Sequence, residues 1–198
     1  MNRHISGPHN ADSKQPPASV VTQGMATPIH TMNITTAWDG SSITDGPLVR
    51  IEITHALDGL NIEVDAPFHG DPSPPPGPIG PTDGLWEYEV VEVFLLGKNG
   101  HYTEIELAPT GHHLVLQLEG TRNPVASCLP LKFKACIDGS RWTGQAHVPN
   151  SLLPEGPLFV NGYAIYGTGP NLVYMSWIPL PGAAPDFHQP DMFRPLGL

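Results

Sequence analysis

Proline and glycine punctuate this chain so densely that no long helix fits between them. The sequence carries 24 Pro and 21 Gly among 198 residues. Proline removes a backbone donor and clashes with the preceding helical turn, and glycine costs about 1 kcal/mol in a helix interior. Both fall between apolar runs rather than in one low-complexity block. Many short strands joined by turns tolerate that pattern, and the chain is long enough to bury a core without staples.

The apolar runs alternate with period two. In residues 48–53, Val49, Ile51 and Ile53 alternate with Leu48, Arg50 and Glu52. In residues 60–65, Leu60, Ile62 and Val64 alternate with Asn61, Glu63 and Asp65, and Asp58-Gly59 between the two runs is a hairpin signal. Strong strand signals follow at 85–96 (LWEYEVVEVFLL), 102–108 (YTEIELA) and 113–119 (HLVLQLE). Residues 131–137 and 141–148 pair around Asp138-Gly139, and strands are expected at 158–165 and 172–178. The only helical turn expected lies near 150–153. Eight or nine strands at this spacing predict an all-β fold, an antiparallel β-sandwich of jelly-roll type, over residues 32–198. Residues 1–31 are polar and aperiodic, and read as a disordered tail.

The net charge is −10, from 19 acidic and 9 basic residues, with no basic cluster. Phosphate backbones and anionic membrane surfaces both need such clusters, so neither nucleic acid nor membrane is an expected partner. No signal-peptide shape opens the chain and no apolar run is long enough to span a bilayer. The expected location is cytoplasmic, with Cys128 and Cys136 as reduced thiols. No phosphate-binding glycine loop, nucleophile elbow or C-x-x-C pair is present.

The chemistry-bearing residues concentrate on the central strands. Tyr102, Glu104 and Glu106 share one strand face, with Thr103, Ile105 and Leu107 on the other. Across the hairpin, Glu87 and Glu89 share one face, while Trp86, Tyr88, Glu92 and Phe94 share the other. Rings and carboxylates converging in this way suit a sugar: Trp38, Trp86 and Tyr102 would stack, and Glu87, Glu89, Glu92, Glu104, Glu106, His112 and Arg122 would take hydroxyls. The plainer reading leaves Glu104 and Glu106 on the solvent face of an antiparallel sheet. No cofactor is implied, although an oxygen-rich cluster is compatible with calcium. Residues 66–84 are too rich in proline for regular structure, and a loop of that length is a candidate wall of the site. Its 72–81 stretch is also a candidate polyproline contact for a protein partner. His188, two residues after Asp186, forms a D-x-H too short to assign.

The stretch 85–96, continuing through 118, resembles uncharacterised protein family 0462. The resemblance extends to Ala37-Trp38-Asp39-Gly40, Ala66-Pro67-Phe68, Asp71-Pro72, Arg122-Asn123 and Asp186-Phe187-His188. The pattern at 91–95, 102–107 and 109–111 is also similar to family 9 carbohydrate-binding modules and DOMON-like domains. That likeness implies a sandwich and a sugar ligand, or haem held by Met175 with His112 or His113. The leading expectation is a non-enzymatic module for a small polar ligand, most plausibly a carbohydrate. The alternatives are a protein-interaction module using the proline loop, and a lyase, isomerase or hydrolase acting on a sugar-like substrate. The last requires a carboxylate or histidine with a perturbed pKa in a cleft.

Overall fold

The computed structural model describes Met1 and residues 27–44 and 47–197. Most of the segment read as a tail therefore lies outside the described residues. Its last residues do not: the first strand opens at His30, inside the expected tail. In chain order the strands are β1 (His30–Ile34), β2 (Val49–Ala56), β3 (Gly59–Pro67), β4 (Val90–Leu96), β5 (His101–Leu107), β6 (His113–Glu119), β7 (Pro124–Ala126), β8 (Lys132–Asp138), β9 (Arg141–Pro149), β10 (Phe159–Tyr166), β11 (Val173–Ser176) and β12 (Arg194–Pro195). Single 3-10 turns occur between them, including Asn150–Leu152 where a turn is expected and Leu85–Glu87 where a strand is expected.

The strands form two antiparallel sheets. One has the order β1-β2-β3-β9-β8, and the other β11-β10-β4-β5-β6-β7, with β12 added on β10. Between them lies the main core. Met32, Ile51, Ile62, Val64, Trp142, Ala146 and Val148 come from the first sheet, and Val91, Val93, Leu95, Ile105, Leu107, Val115 and Val160 from the second. These are the odd or even members of alternating strands, as period two requires. The outer face of the first sheet carries Arg50, Glu63, Asp65 and Gln145, and meets water in the usual way.

The second sheet is different, because its outer face is also covered. Phe94, Tyr102, Leu114, Leu116, Leu118, Tyr163 and Ile165 project from it and pack under Leu85, Leu180, Phe187 and Phe193. The covering residues come from the 3-10 turn before β4 and from the long segment after β11. A sheet buried on both faces needs near-continuous apolar strands, and VVEVFLL in β4 is one.

Loop and strand ends are fixed by specific contacts. At the β2–β3 hairpin, a Cβ added to Gly59 would sit 2.0 Å from the Val148 carbonyl oxygen of the adjacent β9. Gly59→Ala must therefore push these strands apart. It is expected to lower stability by about 1–3 kcal/mol, read as a fall in the urea midpoint, and an unchanged midpoint would refute the close approach. The proline loop does not stand free at its ends. Gly167 N–H donates to the Asp71 carbonyl, the Thr168 hydroxyl donates to the Asp71 carboxylate, and residues 80–82 pair with the outer edge of His113. Pro75 is buried, whereas residues 76–79 are exposed. No helix among the described residues is long and apolar enough to cross a membrane, and both cysteines are free and exposed.

Candidate functional site

The cover over the second sheet leaves a gap. A cavity of about 400 Å³ opens there, walled by Trp86, Phe94, Leu116, Leu118, Ile165, Tyr174 and Phe187, with Glu92, Glu104, Arg122, Asp186 and His188 among its polar members. Alternation places the carboxylates. Glu92 on β4 pairs with Glu106 on β5, and Glu104 pairs with Phe94, so all three carboxyls rise from the same outer face. All three are buried: Glu92 is 1% exposed, Glu104 4% and Glu106 0%. The expectation of a solvated acidic face fails here, because residues 180–193 cross above it.

Burial makes ionisation costly. Desolvation, reinforced by Glu104, holds Glu92 well above the ordinary carboxylate range. Desolvation with both neighbouring carboxylates does the same to Glu106. Glu104 is pushed up to about 7 by desolvation, moderated by the adjacent Glu106 carboxyl and by the Arg122 charge. Both Glu106 carboxyl oxygens and Glu104 Oε2 are buried without a hydrogen-bond partner.

Across from Glu104 stands His188. The Arg122 backbone N–H donates to the Tyr102 hydroxyl oxygen at 3.2 Å, and that hydroxyl lies 2.7 Å from His188 Nδ1. A hydroxyl that accepts from Arg122 has its own proton to give to Nδ1, which places the imidazole proton on Nε2. Burial, with the Arg122 charge, lowers the His188 pKa to about 4, so the ring is neutral near pH 7. Its Nε2–H faces Glu104 Oε2 across 4.0 Å, too far for a direct hydrogen bond. The His188 backbone N–H donates to Asp186 Oδ1, and Arg122 pairs with the same carboxylate at 2.7 Å. Arg122 holds a left-handed φ of 58°, and from there its main chain reaches Tyr102 while its guanidinium reaches Asp186.

Of the residues expected at the site, Trp86, Glu92, Glu104 and Arg122 line the cavity. Glu106 and Tyr102 lie directly beneath, and Tyr102 is too buried, at 1% exposure, to stack on a ligand. It positions His188 instead. The others are elsewhere. Glu87 is exposed on the 3-10 turn, outside any strand. Glu89 faces the opposite way from Glu92 and accepts the His69 and Gly70 backbone N–H groups at 2.9 and 2.8 Å, which fastens the start of the proline loop. Trp38 pairs through its backbone with Tyr174 and Leu180 and packs at the edge of the second core cluster. His112 is held by Thr110 at the turn before β6. The proline loop is not a wall: that part is taken by residues 185–188, which sequence reasoning missed apart from the unassigned D-x-H. Met175 and the His112–His113 pair cannot share a haem iron, because β11 and β6 are four strands apart, roughly 19 Å at 4.8 Å per strand. Among the described residues, no group of three or more His, Cys, Asp or Glu is placed to hold a metal ion.

No protein-family model matches the chain. A crystal structure of a candidate carbohydrate-binding protein from Bacteroides uniformis has the same fold, with a TM-score of 0.67 at 17% identity over 84% of each chain. The UPF0462 protein C4orf33 homologue of Danio rerio is 42% identical over 165 residues, which is 79% of this chain and 83% of that one. The human UPF0462 protein C4orf33 is 38% identical over 79% of this chain and 82% of its own length. Identity of this order along nearly the whole described domain places the chain in the UPF0462 (C4orf33) family.

Proposed function

We propose that the protein is a binding module for a small polar ligand, most plausibly a carbohydrate, and that the cavity on the outer face of the second sheet receives it. The observation that carries this reading is the His188 Nε2–H facing the unpartnered Glu104 Oε2 across 4.0 Å. One ligand hydroxyl between them would accept from the histidine and donate to the carboxyl. The cavity, at about 400 Å³, is within the range of roughly 300–1,000 Å³ usual for small-molecule sites. Trp86, 45% exposed, offers a ring at its mouth. The Bacteroides uniformis structure that shares this fold is that of a candidate carbohydrate-binding protein, which supports the same reading.

Thermal unfolding against a panel of monosaccharides and disaccharides, each with and without calcium, tests it. A sugar at 100 times its Kd adds about 2.7 kcal/mol and raises the midpoint by roughly 5–10 °C. Trp86→Ala is expected to weaken binding about tenfold, the loss of one aromatic contact of about 1.4 kcal/mol. A shift with calcium alone would replace the sugar reading by a structural cation site, and no shift with any sugar would remove it.

A second reading, an enzyme acting on the same ligand, has one observation in its favour. A carboxyl titrating near 7 in a cleft can both give and take a proton at neutral pH. Conversion of a bound sugar, followed by NMR and abolished by Glu104→Gln, would establish it; a sugar recovered unchanged would not.

A further inference from the structure

We propose that the ligand carries a primary ammonium group, and that it enters this cavity amine first, seating the ammonium on Glu92 and Glu104 beneath Trp86. The inference rests on the binding reading above and narrows its ligand to amine-bearing sugars.

The charges around the cavity floor are one-sided. Glu92 from β4 and Glu104 from β5 line it, and Glu106 lies against both. Asp83, from the segment leading to the 3-10 turn, adds its negative charge to the field at Glu106. Tyr102 and Tyr163 approach from β5 and β10 as neutral phenols whose ionisation burial opposes. From the last segment come Asp186 and the neutral His188. Arg122 is the sole cation among the lining residues, and it is already paired with Asp186 at the solvent edge, where both side chains are about half exposed. Among the described residues, the basic groups that act on Glu104 are His188, neutral and opposite it, and Arg122, which Asp186 already occupies, and burial and Glu104 alone set the state of Glu92.

A buried carboxylate without a counter-charge is expensive, so the empty site keeps protons on these groups. A neutral sugar can occupy that protonated floor, but it leaves nothing gained from three acids in one place. An ammonium offers three donors, no acceptor and one positive charge, which is what an unpartnered Glu104 oxygen beside a second carboxylate lacks. The apolar and aromatic remainder of the wall, with Trp86, Phe94 and Phe187, suits the body behind the amine and strengthens the ion pair by excluding water. The balance is simple: the ammonium form of the ligand meets a protonated carboxyl, the ion pair forms, and one proton leaves to solvent.

This exchange has a signature that hydroxyl recognition lacks. Where one proton is released on binding, affinity rises tenfold per pH unit. With Glu104 at about 7 in the empty site, an amine that stays protonated, such as cyclohexylamine, is expected to gain about 25-fold in affinity between pH 5.5 and 7.5 and then level off, whereas the 2-amino sugars, whose ammonium begins to lose its proton near the upper pH, gain less and then lose affinity.

The experiment is titration calorimetry on the whole chain with glucosamine, galactosamine and mannosamine, their neutral parent sugars, and cyclohexylamine. Runs at both pH values, in two buffers of different ionisation enthalpy, count the protons released. The expected result is an amino sugar binding at least tenfold more tightly than its neutral parent, with up to one proton released at pH 5.5 and a fraction of one at 7.5. Glu104→Gln should remove the preference and the proton release together. Its fold is checked independently, because that variant is expected to be more stable than the parent protein. Cyclohexylamine binding as tightly as the amino sugars would uphold the ammonium seat and remove the sugar from the binding reading. Neutral and amino sugars binding equally, without proton release, would overturn the inference and leave the binding module standing. No binding by any of them at millimolar concentration would overturn both.

Discussion

Glu104→Gln is expected to raise the unfolding midpoint at pH 8 and to leave it nearly unchanged at pH 4. In the folded chain Glu104 holds its proton up to about 7, whereas an unfolded glutamate ionises around 4.5. Between those values the folded state binds more proton than the unfolded one. Stability from this group is therefore complete below about pH 4.5, is lost as pH rises to about 7, and stays lost above it. At 1.36 kcal/mol per pH unit the loss is about 3 kcal/mol. Glutamine has nearly the same shape and never ionises, so at pH 8 it escapes that loss, a rise of roughly 6–12 °C for a chain of this size. His188 contributes with the opposite sign. Its folded pKa is depressed to about 4, so its contribution is complete above about 6.5 and is lost as pH falls toward 4. A Glu104→Gln midpoint at pH 8 equal to or below that of the parent protein would show that the carboxyl is not desolvated as described. A residue whose removal stabilises the protein has a reason to be there other than folding, and a stabilised Glu104→Gln would be in keeping with the ligand seat proposed above.

The largest loss is expected at Trp142. Its indole is 1% exposed in the centre of the main core, on β9 between β3 and β8. Two residues along the same strand face, Gly144 has no side chain, and a Cβ there would come within 2.9 Å of the Trp142 ring and 3.0 Å of Phe133. The glycine makes room for the indole, and the two belong to one packing arrangement. Trp142→Ala leaves a void that the paired strands cannot close, and should cost about 3–5 kcal/mol in chemical denaturation. A cost below about 1 kcal/mol would mean that the sheets collapse freely around the site, contrary to close packing.

Much of this architecture was legible in the residues. Hairpin turns such as Asp58-Gly59 and Asp138-Gly139, and the alternation of β2, β3, β5 and β9, act locally, so the sequence carries them openly. The shared face of Glu104 and Glu106 was also legible from period two, whereas that Glu92 and not Glu87 or Glu89 joins them depends on the β4–β5 register. What covers that face was not. Residues 180–193 have no periodicity, and their docking depends on contacts with strands far away in the chain, such as the Tyr163 hydroxyl donating to the Phe187 carbonyl. The roles of Glu87 and Glu89 were misread for a related reason: the chain turns as a 3-10 segment before β4, and Glu89 is drawn to loop amides. His188 was visible only as a D-x-H. The structure gives that spacing its purpose, because the Asp186 carboxylate accepts the His188 backbone N–H and thereby aims the ring. The near-continuous apolar run of β4, broken only by Glu92, was the one local sign that the second sheet is covered on both faces.

The strand order also governs how the molecule assembles. Each sheet is closed by a ladder between early and late strands, β3 with β9 in one and β4 with β10 in the other. Hairpins such as β2–β3 and β5–β6 can form early, but neither sheet has a centre until the two ends of the chain have found each other. That search must be made before the buried surface repays it, which places the protein among slow folders, in the millisecond-to-second class of β-sandwiches. No cut between β7 and β8 would leave a half that owns a complete sheet, so the domain is indivisible although its hairpins are local.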